Sequence, residues 1–260
     1  MLRIIDARTG EPVTAAPARR GLTRIEAHAS GFDASGLRVL LVADLLVRAL
    51  ELGGTPVWAL LTGEREQAEL RAGAAALGIR PFEDSRDVGA ALGEAQVVHV
   101  AGEGGGDGGD EHGGDEAGAG DRGTASEDVR IAVAPVEAAV PVTLATAGDP
   151  AVWRLALLGR RRTQPVRLDA EALEEARRTL ARWRRAVADW ARQPSRPIPV
   201  EVRGRLRGAW EDDLDVPAVL RVLEWVETRP DLADGARFET YAYADRLLGL
   251  DLTRDLGRTE

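Results

Sequence analysis

Residues 37–52 (LRVLLVADLLVRALEL) are apolar on most faces of a helix and lie between two strand-like runs, LTRIEAH at 22–28 and TPVWALL at 55–61. A helix with one apolar stripe can rest on a surface. One that is apolar nearly all round has to be covered from more than one side. Strand, helix and strand in quick succession specify a βαβ unit with parallel strands and a right-handed crossover. Ser35 is the expected cap of the helix, and Gly53 and Gly54 its stop. Residues 64–77 read as a second helix ended by Gly78, and AQVVHV (95–100) and RIAV (130–133) as further strands. The expected architecture for this part is a doubly wound parallel sheet.

The segment 101–128 (AGEGGGDGGDEHGGDEAGAGDRGTASED) interrupts that pattern with eleven glycines and almost no apolar side chain, so it cannot offset the entropy of ordering and reads as a disordered acidic loop. It holds nine acidic residues and one Arg, so most of the net charge of −9 belongs to it. The rest of the chain is close to neutral and gives no case for nucleic-acid binding. Glycine–aspartate tracts that bind calcium as a β-roll carry an apolar residue in every repeat, and none recurs here.

Beyond it the reading is helical. Asp149 followed by Pro150 is an N-cap with proline at the first helical position. Leu173, Ala176, Leu180, Trp183, Val187 and Trp190 repeat at alternating spacings of three and four, the stripe of a long amphipathic helix, with Glu174 and Arg178 paired on the other face. QPSRPIP (193–199) ends it, and 201–210, 217–227 and 237–248 supply three more helices, with Trp183, Trp190, Trp210 and Trp225 expected in the core. The expected division is an α/β part over 1–100, the acidic loop over 101–128, a return strand and connection over 129–148, and a helical domain over 149–260.

Three residue types are missing. The chain has no Cys, no Lys and no Asn; all 34 basic residues are Arg. No thiolate nucleophile, Schiff base or lysine phosphate clamp is available. The start lacks the basic-then-apolar order of a signal peptide and no apolar run is long enough to span a membrane, so a cytoplasmic protein without membrane contact is expected.

With this order in place, several stretches resemble the class I cysteinyl-tRNA synthetases and their relative, the cysteine ligase of mycothiol biosynthesis. LRIIDARTGEP is similar to the family's opening strand and turn. LRVLLVADLLVRALELGGTPVWAL is similar to the helix and strand after the HIGH motif, with Arg38 and Asp44 at positions that match the Arg of HIGxAR and a following Asp. LGIRP (77–81), DPAVWRLALL (149–158), LDAEALEEARRTLARWRRAV, WEDDLDVP (210–217) and YAYADRLLGLDL follow in the family's order. The resemblance implies a Rossmann-like sheet followed by a helical bundle, without the synthetase's anticodon domain. It also implies ATP-dependent activation of cysteine through an adenylate, aided by two HIGH histidines, a lysine-rich mobile loop and a zinc held by Cys and His.

This chain departs from that pattern at each device. The HIGH position falls at Asp33, Ala34, Ser35 and Gly36; the mobile loop would fall over 136–147, where no lysine stands; the zinc cysteine aligns with His28 or Ala27, and the inner ligands are replaced by the acidic loop. The expectation is a non-catalytic binding or interaction paralogue. The alternative is an ATP-dependent ligase with rearranged residues, using Arg160, Arg161 and Arg162; those three also read as a basic helix end complementing its dipole. No catalytic residue is assigned. A residual ATP site is placed on Ser30, Gly31, Asp33, Ser35, Gly36 and Arg38, where a glycine-rich turn meets a helix N-terminus. No metal site is assigned and zinc is not expected: His28 reads as a lone strand histidine, with His99 in another strand and His112 in the acidic loop. A protein partner through the helical domain or acidic loop is expected, and tRNA is not.

Overall fold

The computed structural model describes residues 1–17, 22–63, 65–84, 94–104, 128–141 and 148–257. Strand β1 (Arg3–Ile5) turns through Gly10 into β2 (Pro12–Thr14), its antiparallel partner. This hairpin stands apart from the main sheet and is tied to a distant part of the chain: the Ile5 N–H donates to the Asp213 carboxylate, and the Asp213 N–H to the Arg3 carbonyl.

The main sheet contains β3 (Leu22–His28), β4 (Val57–Thr62), β5 (Glu83–Asp84), β6 (Glu94–Gly102) and β7 (Val129–Val133), all parallel, in the order β5-β4-β3-β6-β7. The chain winds outward from β3 to β5 and returns to the other side of β3 for β6 and β7. The order therefore reverses between β3 and β6, and the crevice beyond the strand ends at such a reversal is where doubly wound sheets bind ligands. In β3 burial alternates residue by residue: Ile25 and Ala27 are fully buried, whereas Arg24, Glu26 and His28 share the other face.

Helix α1 (Ala34–Leu52) joins β3 to β4, and α2 (Gln67–Ala76) follows β4. The cap of α1 is Asp33, whose carboxylate accepts from the Gly36 N–H at 2.6 Å, and not Ser35. Ser35 already lies inside the first turn, and its hydroxyl accepts from the Val136 N–H at 2.9 Å. Gly53 and Gly54 end the helix as expected, and Gly78, at positive φ, follows α2.

A small parallel sheet of β8 (Val136–Ala138) and β9 (Val166–Leu168) leads into the helical part. This comprises α3 (Pro150–Leu158), α4 (Ala170–Trp190), α5 (Val200–Glu211), α6 (Val216–Thr228) and α7 (Asp234–Leu248). Burial of α1 follows from this packing: the sheet lies on one side, and α2, α7 and β8 lie against its others. The expectation that its apolar character reflects coverage within a doubly wound sheet is thus amended, because the helical part supplies much of the cover.

Trp183, Trp190 and Trp210 are core residues, and the rings of Trp183 and Trp190 meet Tyr241 edge-on, with centroids 5.9 and 5.1 Å away. Burial of each such ring contributes roughly 2 kcal/mol or more. Trp225 departs from expectation: it is half-buried, with the guanidiniums of Arg205 and Arg229 over its ring at 4.5 and 5.1 Å. On α4, Glu174 pairs with Arg177, one residue before the expected Arg178. Residues 105–127 of the acidic segment and 142–147 of the expected mobile loop lie outside the described residues. Among the described residues no helix is long and apolar enough to cross a membrane.

Candidate functional site

The chain's polar chemistry gathers where β3 ends and α1 begins. Here Ser30 and Asp33 are exposed, Gly31 is half-buried, and Gly36 is buried. The turn folds tightly on itself: a Cβ on Gly36 would lie 2.4 Å from the Gly31 carbonyl oxygen, so only glycine fits. Two of its N–H groups, those of Phe32 and Gly36, have carboxylate partners. Asp33 takes the Gly36 N–H, and the Glu66 carboxylate, from the loop before α2, takes the Phe32 N–H at 2.9 Å. Two carboxylates thus sit at the positive end of the α1 dipole, where a phosphate would otherwise be favoured. Glu66 is absent from the sequence reading, since nothing local links it to residues 31–36.

Arg38 is 1% exposed and points away from solvent. Its guanidinium donates to the carbonyls of Ala134 (2.7 Å), Gln164 (2.8 Å) and Arg161 (2.8 Å). Burial lowers its pKa to about 10, with Glu103 acting in the opposite sense. It remains a cation at neutral pH and works as a strut between α1 and the segments flanking β8 and β9.

The run of arginines after α3 is likewise engaged. Arg162 is buried; it pairs with Asp213 and donates to the carbonyls of Ala132 (2.8 Å) and Ile5 (3.0 Å). Arg161 pairs with Asp215, the N-cap of α6. The WEDDLDVP stretch therefore serves as the counter-charge for Arg161 and Arg162, and α3 itself ends at Leu158, before either. Asp44, on the buried side of α1, accepts from Arg48 (2.9 Å), Arg80 (3.2 Å) and Arg154 (2.7 Å).

On the sheet face opposite α1 the register of β3 with β6 sets Glu26 beside His99. The His28 Nε2 and His99 Nδ1 lie 2.9 Å apart, so one ring donates an N–H to the other. The Glu26 Oε2 lies 3.3 Å from His99 Nδ1 and 3.7 Å from His28 Nε2. Arg24 holds the second oxygen of that carboxylate, at 2.9 Å, and Asp128 lies 3.6 Å from His99 Nε2. The hydrogen bond with His99 is the main reason the Glu26 carboxyl is held below its usual range; burial opposes it, and Arg24 adds to it. Burial is the main cause that lowers the His28 pKa, reinforced by His99 and opposed by Glu26.

Among the described residues, Glu26, His28 and His99 are one group of three metal-ligating side chains whose donor atoms converge within 4.8 Å. The reading of His99 as uninvolved because it lies in another strand is corrected by this register: that strand is the neighbour of β3. Glu26 and His28, two apart on one strand face, carried a weak signal of it, but the partner strand could not be read locally.

These observations can be set against known proteins. An L-cysteine:1D-myo-inositol 2-amino-2-deoxy-alpha-D-glucopyranoside ligase of Parafrankia sp. is 37% identical over 118 residues, covering 42% of this chain and 26% of the relative. The ligase of the same name from Thermobispora bispora is 35% identical over 105 residues, 40% of this chain and 25% of the relative. The chain matches about a quarter of the length of these curated relatives. No protein-family model matches it. Over that shared segment the chain is similar to these two ligases, and its own fold is a parallel α/β sheet followed by helices.

Proposed function

We propose that this chain is a non-catalytic relative of those ligases, retaining the frame as a binding or interaction protein. The observation that carries the reading is the closed turn at the start of α1. Its Phe32 and Gly36 N–H groups are held by Glu66 and Asp33, and its Ser35 hydroxyl by the Val136 N–H. A triphosphate brought to this turn would meet two carboxylates and displace existing hydrogen bonds, so ATP does not fit the residues present.

The second reading is an ATP-dependent ligase that joins cysteine or another small amino acid through an adenylate, as the names of the relatives suggest for cysteine. It needs cations to replace the missing lysines. Arg161 and Arg162 are committed to Asp215 and Asp213, and Arg38 to three carbonyls, which counts against it. A binding role would fall to the helical part or the acidic segment.

ATP–pyrophosphate exchange with each of the standard amino acids decides between the two. The non-catalytic reading expects background rates throughout and no heat on calorimetric titration with ATP. Exchange above background with any amino acid establishes the ligase instead.

A further inference from the structure

The cluster on the sheet face opposite α1 has the geometry of a metal-ligand triangle. Ligands that surround zinc tetrahedrally at about 2.0–2.1 Å stand about 3.3 Å from one another. The three donor-to-donor distances here are 2.9, 3.3 and 3.7 Å, and they bracket that value. The surroundings match what such sites carry outside the ligands. Arg24 fixes the free oxygen of Glu26 at 2.9 Å, and the ring nitrogen of His99 that faces away from the triangle points toward Asp128, 3.6 Å distant. The location is the reversal of strand order between β3 and β6, and His28 is the last residue of β3. Backbone on both sides is fixed by parallel pairing, so the ligands sit on rigid elements.

The geometry points to a divalent transition-metal site, of zinc type, formed by Glu26 Oε2, His28 Nε2 and His99 Nδ1. Two histidines and a carboxylate from the protein leave a fourth position for an exchangeable ligand, the arrangement of open rather than closed zinc sites. The donor set differs from that implied by the family resemblance: it has no cysteine, and its second histidine comes from β6. In the metal-free chain the two rings share a hydrogen bond, and the ion takes the place of that proton. This inference is independent of whether ATP chemistry survives, since the triangle shares no residue with the turn or with the arginine struts.

The test is titration of untagged, chelator-treated full-length protein with Co2+ and then Zn2+. It follows the visible absorption of four-coordinate cobalt and, by calorimetry, the stoichiometry. One ion per chain, cobalt bands abolished by zinc, and a higher Tm with zinc are expected. His28→Ala with His99→Ala should remove the bands and weaken zinc binding at least a hundredfold, while metal-free circular dichroism stays as in the parent. Asp128→Asn should weaken binding about tenfold, and His112→Ala should leave it unchanged. Absence of binding at 100 μM metal, binding that survives the double histidine variant, or binding that is lost with His112→Ala overturns the proposal.

Discussion

The Arg154 guanidinium lies 2.7 Å from the Asp44 carboxylate with neither side chain exposed, and this pair joins the α/β part to the helices. Arg154 also donates to the carbonyls of Leu248 (2.5 Å) and Leu77 (3.3 Å). It packs against Gly249, whose positive φ and missing Cβ leave room for the guanidinium: a Cβ there would lie 3.0 Å from it. An arginine is suited to this place because its planar fork serves several acceptors at once.

Asp44→Ala would leave Arg154 buried without its counter-charge. The expected loss of stability in urea unfolding is about 3–5 kcal/mol, as for other broken buried pairs. Pairing Asp44→Leu with Arg154→Met should be less damaging than Asp44→Ala alone. A loss below about 1 kcal/mol for the single variant would mean that the pair contributes little to the junction.

The same carboxylate makes the acid limb predictable. Burial pushes the Asp44 pKa up, but Arg154 and Arg48 outweigh it and the net direction is down. A lowered carboxyl pKa contributes stability that is complete above the unfolded value, about 3.9, and is lost as pH falls through the lower folded value. The parent should therefore lose stability more steeply than Asp44→Asn between about pH 4 and pH 2. Parallel stability–pH curves for the two would refute this.

Asp33 and Glu66 are predicted to exclude phosphate from the α1 turn. Asp33→Ser keeps a capping oxygen without the charge, and Glu66→Gln keeps the side-chain shape. Each relieves a repulsion of about 0.3–1 kcal/mol, so the double variant should bind ATP or inorganic phosphate roughly tenfold better than the parent, read by calorimetry. No gain would mean that turn geometry, rather than charge, shuts the site.

Arg38→Lys tests the strut. A lysine ammonium cannot reproduce the planar fork that reaches the carbonyls of Ala134, Gln164 and Arg161 together, and the unmatched acceptors should cost about 2–3 kcal/mol in chemical unfolding. A near-neutral substitution would contradict the role assigned to this side chain.

The elements were largely legible because they are local. Apolar spacing along 37–52 and 173–190, the Asp149–Pro150 start and the Gly53 stop each concern neighbours within a turn or two, and each appears in the structure. The similarity to the cysteine:inositol-glucosaminide ligases was legible for the same reason, in short ordered stretches. Where local reading chose between adjacent candidates it could miss: Asp33 rather than Ser35 caps α1, because Ser35 is bonded to Val136, a residue far along the chain.

Tertiary structure alone decided which polar groups meet. Strand order and register bring His99 beside Glu26, loop placement brings Glu66 to Phe32, and packing turns Arg38, Arg161 and Arg162 from available cations into braces. The physical reason is range. Periodicity and capping are set by interactions within a few residues, whereas the partner of a buried charge or a candidate metal ligand is chosen by which distant segments share a sheet edge or a core.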